Sequence, residues 1–112
     1  MRCVGYGKKA VAAAKDAELS AIRTLLFEGV TNTRYTMPLI SEDRLTVEAK
    51  FKKFFDDFYN GGYKDFIESS VVAVPFGKND LKQKCIVLDV CVRVPQLRRY
   101  LENKDIIRKF GL

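Results

Sequence analysis

The sequence contains no histidine and no tryptophan. Without histidine the chain cannot form a Ser-His-Asp triad, a Cys-His pair or a histidine-containing zinc site, so the most common nucleophilic, acid–base and metal centres are excluded. No apolar stretch approaches the roughly 20 residues that span a bilayer. We therefore expect a soluble globular chain that is not an enzyme, with no catalytic residue, no cofactor and no metal site.

Cysteine is also scarce. The chain has three, and no C-x-x-C pair of the kind that a zinc ribbon or a thioredoxin-type site needs. Cys85 and Cys91 belong to one predicted strand and lie roughly 20 Å apart at about 3.3 Å per residue, which is too far for a disulfide. Three free and mostly buried thiols are the preferred interpretation, because free cysteine packs as a small apolar residue. Whether Cys3 pairs with either of the others stays open.

The composition is that of one globular domain, which we predict over residues 1–112. The chain is 47% hydrophobic and 30% charged, and its length suffices for one apolar core. The net charge of +6 makes nucleic acid, anionic lipid and acidic protein surfaces plausible partners. A mixed, solvated surface is the simpler interpretation, although basic residues concentrate near the end of the chain, at Arg93, Arg98, Arg99, Lys104, Arg108 and Lys109.

The first quarter of the chain predicts a strand followed by a helix. Residues 2–6 are a short strand, and the helix over about 8–28 is rich in alanine, the best helix former. Gly29 is its predicted C-cap. Small residues recur at spacings of three and four and define one face of this helix, which consists of Ala10, Ala14, Ala17, Ala21 and Leu25.

A second helix with a very different face is predicted over roughly 42–59. An extended connection over 30–40 precedes it, and Ser41 is its predicted N-cap. Its apolar side is dominated by phenylalanine, whose spacing is that of a buried helix face. This face consists of Val47, Phe51, Phe54, Phe55 and Phe58.

The second half predicts a β-hairpin followed by a short helix. Residues 66–76 and 82–94 are rich in β-branched residues and flank a turn signal, and Pro75 favours an edge position for the first strand. A helix over 96–103 follows, and the apolar tail over 106–111 is expected to dock. The predicted fold class is α+β in the order β-α-α-β-β-α. Its three-stranded, mainly antiparallel sheet has 82–94 in the centre and two long helices packed on one face.

A glycine-rich turn lies where the first strand leads into the first helix. Such turns can hold an anion, because backbone N–H groups and the positive end of the helix face it. Gly5, Gly7 and Lys8 are therefore candidate contacts for a phosphate-bearing ligand. The spacing matches neither GxxxxGK[ST] nor GxGxxG. A tight turn that needs the backbone freedom of glycine is the alternative that we prefer.

The outward side of the strand over 82–94 is the candidate interface. Alternate side chains of a strand share one face, and a half-apolar face that no helix covers is typical of a protein–protein contact. The alternative is that the C-terminal helix and tail fold back over it. The candidate residues are Cys85, Val87, Asp89, Cys91 and Arg93.

The first 30 residues resemble the start of small bacterial envelope domains of the LPP20 lipoprotein and flagellar FlgT-type group. The resemblance rests on the strand and turn Val4-Gly5-Tyr6-Gly7 and on the alanine stripe of the following helix. It implies an exported, non-enzymatic α+β domain that assembles with other proteins in a cell envelope. It transfers no functional residue to this chain.

Three functions are therefore in competition. The leading hypothesis is a non-catalytic interaction or structural domain of a bacterial cell-envelope protein, which acts through a protein partner or self-association at the sheet face. The alternatives are a cytoplasmic nucleic-acid-binding module that uses the basic C-terminal segment, and a small phosphate-ligand binder at the turn over 5–9. We expect a periplasmic or envelope location if a leader is removed from the chain, and a cytoplasmic one otherwise.

Overall fold

The structure, a computed structural model, describes residues 1–31 and 33–108. Its elements in chain order are β1 (Arg2–Tyr6), α1 (Ala10–Phe27), α2 (Arg44–Lys50), α3 (Lys52–Asn60), a 3-10 helix (Gly62–Phe66), β2 (Ile67–Lys78), β3 (Lys84–Val92) and α4 (Val94–Asn103). The three strands form one antiparallel sheet in the order β1-β3-β2. The predicted α+β class and the central position of the last strand are confirmed.

The described residues fall into two compact units. The sheet unit comprises Met1–Ile22 and Ile67–Val92, and thus all three strands. The helical unit comprises Arg23–Phe66 and the described residues from Arg93 onward. Helix α1 belongs to the sheet unit up to Ile22 and to the helical unit from there on. That the whole chain forms a single domain stays a prediction.

In the sheet unit, small side chains of α1 pack on the inward side of the sheet. The predicted stripe is wrong at Ala10, which is exposed, whereas Ala14 is half-buried against the core. Ala13 is a fully buried member that was not predicted, since residues four apart are neighbours on a helix and Ala13, Ala17 and Ala21 form one row. The buried core consists of Cys3, Ala13, Ala17, Ala21, Ile86, Leu88 and Val90.

Gly5 allows the backbones of β1 and α1 to approach closely. A Cβ atom at this position would lie 1.9 Å from the carbonyl oxygen of Ala13 and 2.5 Å from the backbone nitrogen of Ala17. Real Cβ atoms do not approach backbone atoms so closely, so any larger residue must push the helix away from the sheet. The glycine predicted as part of a turn is therefore a packing residue.

β2 is an edge strand, as Pro75 predicts. Shifts of register interrupt its pairing with β3, so its side chains do not alternate regularly along the whole strand. Residues 79–83 close the hairpin, about two positions later than predicted, because Gly77 and Lys78 still pair with β3. Asn79 holds this loop, because its side-chain oxygen accepts hydrogen bonds from the backbone N–H groups of Leu81 at 3.0 Å and Gln83 at 2.9 Å.

In the helical unit, the helix predicted over 42–59 is divided into α2 and α3. Phe51 leaves helical geometry with φ −115° and ψ 43°. The predicted N-cap is also wrong, because the carboxylate of Asp43, rather than the hydroxyl of Ser41, accepts hydrogen bonds from the backbone N–H and the hydroxyl of Thr46 at 3.1 and 3.0 Å. The predicted apolar face is confirmed: Val47, Phe55 and Phe58 are buried, and Phe51 and Phe54 are half-buried.

Aromatic rings form the interior of this unit. The ring of Phe58 lies 5.5 Å from that of Phe54, 6.1 Å from that of Phe66 and 6.3 Å from that of Tyr100, between centroids. Phe66 and Tyr100 are themselves 5.1 Å apart. Pairs in this range contribute beyond the area that they bury. The cluster unites α3, the 3-10 helix and α4.

Gly29 ends α1, as predicted. Its φ of +85° is in the left-handed region that favours glycine. The connection that follows returns to the helix end, where the N–H groups of Leu39 and Ile40 donate to the carbonyls of Leu25 and Leu26 at 3.1 and 2.8 Å. These bonds satisfy carbonyl groups that the last turn of a helix leaves unpaired. They also hold Leu39 and Ile40 in buried positions.

α4 ends in a Schellman motif. Asp105 takes the left-handed conformation with φ 59°, and its N–H donates to a carbonyl three residues earlier at 3.1 Å. The N–H of Ile106 donates to the carbonyl of Leu101 at 3.0 Å, which closes the motif and directs Ile106 into a buried position. Residues 109–111 of the predicted docking tail lie outside the described residues.

Candidate functional site

The outward side of the sheet brings side chains of all three strands together. Residues directly opposite one another in antiparallel strands project to the same side. The register therefore arranges this surface, which we call the outer face, in rows across the sheet. The rows are Tyr6 with Cys85 and Gly77, Val4 with Val87 and Val74, Arg2 with Asp89 and Val71, and Cys91 with Ser69.

The centre of the outer face is apolar and open. Val4, Val71 and Val74 are 42%, 60% and 52% exposed, and Tyr6 is 49% exposed. Val87 lies between Val4 and Val74 and is half-buried. An apolar row that stays this accessible among the described residues is typical of a contact surface. That this face is an interface stays a prediction.

One ion pair lies beside this apolar row. The Arg2 guanidinium donates to both carboxylate oxygens of Asp89, at 3.0 and 3.1 Å. The hydrogen bond from Arg2 lowers the pKa of Asp89 from its ordinary value. Because the two charges cancel, the outer face carries no net charge at its centre, although the chain as a whole is basic.

The cysteines lie on opposite sides of the sheet. Cys3 pairs with Leu88 in the register and is buried on the inward side, where loss of solvent raises its pKa. Cys85 and Cys91 project from the outer face, so neither can reach Cys3, and all three are free. The Cys91 thiol donates to the Glu68 carboxylate at 3.1 Å, which raises the pKa of Cys91 and keeps it protonated.

The structure corrects one member of the predicted interface and adds others. Arg93 follows the end of β3 at the N-cap position of α4, so it is not part of the outer face. The sequence did not predict that β1 and β2 add residues to the outer face, notably Val4, Val71 and Val74. The alternation of apolar residues along β3 identifies which of its side chains point outward. Their neighbours on β1 and β2 depend on the register between strands, and the register of β2 is irregular, so it cannot be predicted from the sequence.

Two backbone donors of the glycine-rich turn are used within the protein. The N–H of Tyr6 donates to the Asp16 carboxylate at 2.9 Å, and the N–H of Gly7 donates to a carbonyl at the start of β3 at 3.3 Å. Lys8 is exposed. Because a carboxylate already occupies one donor and close packing explains Gly5, the geometry favours the tight-turn alternative. Anion contacts at Gly5, Gly7 and Lys8 stay a prediction.

The basic C-terminal segment lies on the protein surface as far as it is described. Arg98 and Arg99 on α4, and Lys104 and Arg108 beyond it, are exposed. Nucleic-acid binding through this segment stays a prediction. None of the helices in residues 1–31 and 33–108 combines the length and apolar character that crossing a bilayer requires.

Tyr59 belongs to a small polar cluster that the sequence did not indicate. Its hydroxyl donates to the Glu48 carboxylate, and the Arg23 guanidinium lies 4.7 Å from its ring centre. Burial, and then the bond to Glu48, raise the pKa of Tyr59. The hydroxyl therefore stays protonated at neutral pH and acts as a hydrogen-bond donor. The described residues bring together no group of three cysteine, aspartate or glutamate side chains that could hold a metal ion.

Comparison with protein families, with curated proteins and with solved structures finds no match to this chain.

Proposed function

We propose that this chain is a non-catalytic interaction domain whose binding surface is the outer face of its sheet. The observation that supports the proposal is the apolar row of Val4, Val87 and Val74, open to solvent and spanning all three strands. A row of this kind costs free energy while it faces water, and association removes that cost.

A second copy of the chain is the partner that this surface fits best. Each copy presents a cation, Arg2, and an anion, Asp89, next to the apolar row. A twofold arrangement places the same surface on both subunits, so that each charge can lie near its opposite. A strongly acidic partner would gain little at a surface whose own charges cancel.

The size of the outer face predicts weak binding. A five-residue strand spans about 17 Å and three strands about 14 Å, so the fully three-stranded part covers on the order of 250 Å². Stable interfaces bury roughly 800 Å² on each partner. The expected dimer is therefore weak and reversible.

Sedimentation velocity over a concentration series tests this function with a matched pair of variants. Val87→Glu places a charge in the centre of the outer face and should abolish the concentration-dependent increase in sedimentation coefficient. Val11→Glu makes the same change on α1, where Val11 is 83% exposed, and should leave association unchanged. A chain that stays monomeric at millimolar concentration, or one that both variants affect equally, would refute the proposal.

We propose further that the domain acts in a bacterial cell envelope. This location is supported by the resemblance of its strand, G-x-G turn and alanine-rich helix to the LPP20 and FlgT-type group. Fractionation of the original host, with the protein detected by an antibody, tests it directly. Recovery with periplasmic or membrane markers is the expected result, and recovery with cytoplasmic markers would contradict it.

A further inference from the structure

The helical unit contains a cleft that has no part in the proposed function. Its volume is about 860 Å³. It is bounded by the connection before α2, by the junction of α2 and α3, and by α4 with the chain that follows it. Its apolar lining residues are Leu39, Ile40, Phe51, Ile106 and Ile107.

The floor of the cleft is apolar and is held in place by backbone hydrogen bonds. Leu39 and Ile40 are fixed against the end of α1, and the Schellman motif of α4 fixes Ile106. Phe51 adds a half-buried ring at the break between α2 and α3. A floor built in this way exists before any ligand arrives, which reduces the entropy that binding must overcome.

The rim of the cleft carries three cations and two acids. Lys50, Arg98 and Arg108 are exposed, as are Glu42 and Asp105. None of the five forms an ion pair with another residue in the described part of the chain. Lys50 lies 5.3 Å from the Phe51 ring centre, at the border between rim and floor. The rim therefore has one net positive charge that nothing in the described chain neutralises.

We propose that this cleft binds a small amphipathic anion, a hydrocarbon chain that carries a single carboxylate. The apolar chain lies against the half-buried side chains of Phe51 and Ile107, next to the buried Leu39, Ile40 and Ile106, and the carboxylate meets Arg98 and Arg108 at the rim. Small-molecule sites are clefts of roughly 300–1,000 Å³ that combine apolar surface with polar groups that orient the ligand, and this cleft has that size and a lining of both kinds. An arginine can form two hydrogen bonds to one carboxylate, which favours this head group.

Titration with three ligands of equal chain length tests the proposal. Decanoate, decanol and decyltrimethylammonium are each added below their micelle concentrations, and binding is followed by amide chemical shifts. Decanoate should bind about tenfold more tightly than decyltrimethylammonium, since one favourable charge contact is replaced by repulsion. Its largest shifts should fall at Leu39, Ile40 and Ile106. Equal affinity for the three ligands, shifts centred on the outer face, or no decanoate binding at millimolar concentration would overturn the proposal.

Variants of adjacent arginines separate a specific contact from net charge. Arg98→Gln should weaken decanoate binding about fivefold, whereas Arg99→Gln, the same change at an exposed α4 residue that does not line the cleft, should not. Asp105→Asn should tighten binding, because it removes a repulsive charge and asparagine tolerates the left-handed conformation. An equal loss in both arginine variants would contradict the assignment, and unfolding curves of all three show whether the fold is intact.

Discussion

The two units of this chain differ in the side chains that form their interiors, which are small in the sheet unit and aromatic in the helical unit. In the sheet unit, Ala13, Ala17 and Ala21 bring the backbone of α1 close to β1, with no room for a Cβ atom at Gly5. In the helical unit, rings of phenylalanine and tyrosine fill the interior. We therefore expect an added atom at Gly5 to destabilise the sheet unit. We expect the loss of an aromatic ring to destabilise the helical unit.

The difference follows from how each side chain contributes free energy. Alanine loses no side-chain entropy on folding and buries little area, so its contribution comes from helix propensity and from the close approach that it permits. A phenylalanine or tyrosine ring buries on the order of 150–250 Å², and each buried apolar Å² contributes about 25 cal/mol. We expect the same substitution to have different effects in the two units, and the three predictions below test this.

The largest effect is expected when a ring is removed from the helical unit. Phe58 is 2% exposed and lies among the rings of Phe54, Phe66 and Tyr100. Phe58→Ala should reduce the free energy of unfolding by about 4 kcal/mol, the sum of lost transfer energy and an unfilled cavity. Urea denaturation measures this loss.

The counterpart in the sheet unit is Phe76→Ala. Phe76 is only half-buried at the edge of the alanine core, so we expect a loss of about 1–2 kcal/mol. A Phe76 loss as large as that of Phe58 would mean that aromatic packing is not confined to the helical unit.

When one methyl group is added, we expect the sheet unit to lose more stability than the helical unit. Gly5→Ala should destabilise the protein by about 3 kcal/mol, because its Cβ atom would overlap the backbone of Ala13 and α1 must move. Gly62→Ala in the helical unit meets its nearest atom, the Asp57 carbonyl oxygen, at an ordinary 3.5 Å and should be nearly neutral. Thermal unfolding of both variants measures the difference, and equal melting temperatures would contradict the close-packing account.

The smallest effect concerns the ion pair that joins β1 to β3. Because the folded-state pKa of Asp89 is lowered by Arg2, the pair stabilises the fold above the ordinary aspartate pKa of about 3.9, and this contribution is lost as the pH falls through the lower, folded-state value. The melting temperature of the wild type should exceed that of Asp89→Asn at pH 7, and the difference should disappear in acid.

Asp56→Asn provides the comparison in the helical unit. It breaks the exposed pair of Asp56 with Lys52, which lies within one helix. We expect a smaller change in melting temperature than for Asp89→Asn, since Arg2 and Asp89 form two bonds between strands. A difference between wild type and Asp89→Asn that persists unchanged at pH 2 would show that Asp89 acts through packing rather than charge.

Local signals in the sequence predicted much of the fold. The strand over 2–6, the C-cap at Gly29, the edge position of β2 and the central position of β3 all depend on propensities and turn residues a few positions apart. The break at Phe51 could not be predicted in this way, because the helical pattern continues through it. The N-cap was misplaced because Ser41 and Asp43 are both good capping residues, and only the position of Thr46 selects Asp43.

The candidate sites also differ in how much of each could be predicted from local sequence signals. Alternation along β3 indicated Val87 and Asp89 as outward residues, but the neighbours from β1 and β2 required the register. The cleft in the helical unit was not indicated at all, since its residues come from segments far apart in the chain.

The sequence by itself determined where most helices and strands lie, the phenylalanine-rich apolar face, and that these residues supply no histidine, because these properties depend on residue type and short spacing. Only the tertiary structure decided the register between the strands, that Gly5 lies against α1, and which charges gather around one cleft. Those features depend on contacts between segments that are far apart in the sequence. Such contacts produce no periodic pattern of residues in either segment, so they cannot be predicted from local spacing.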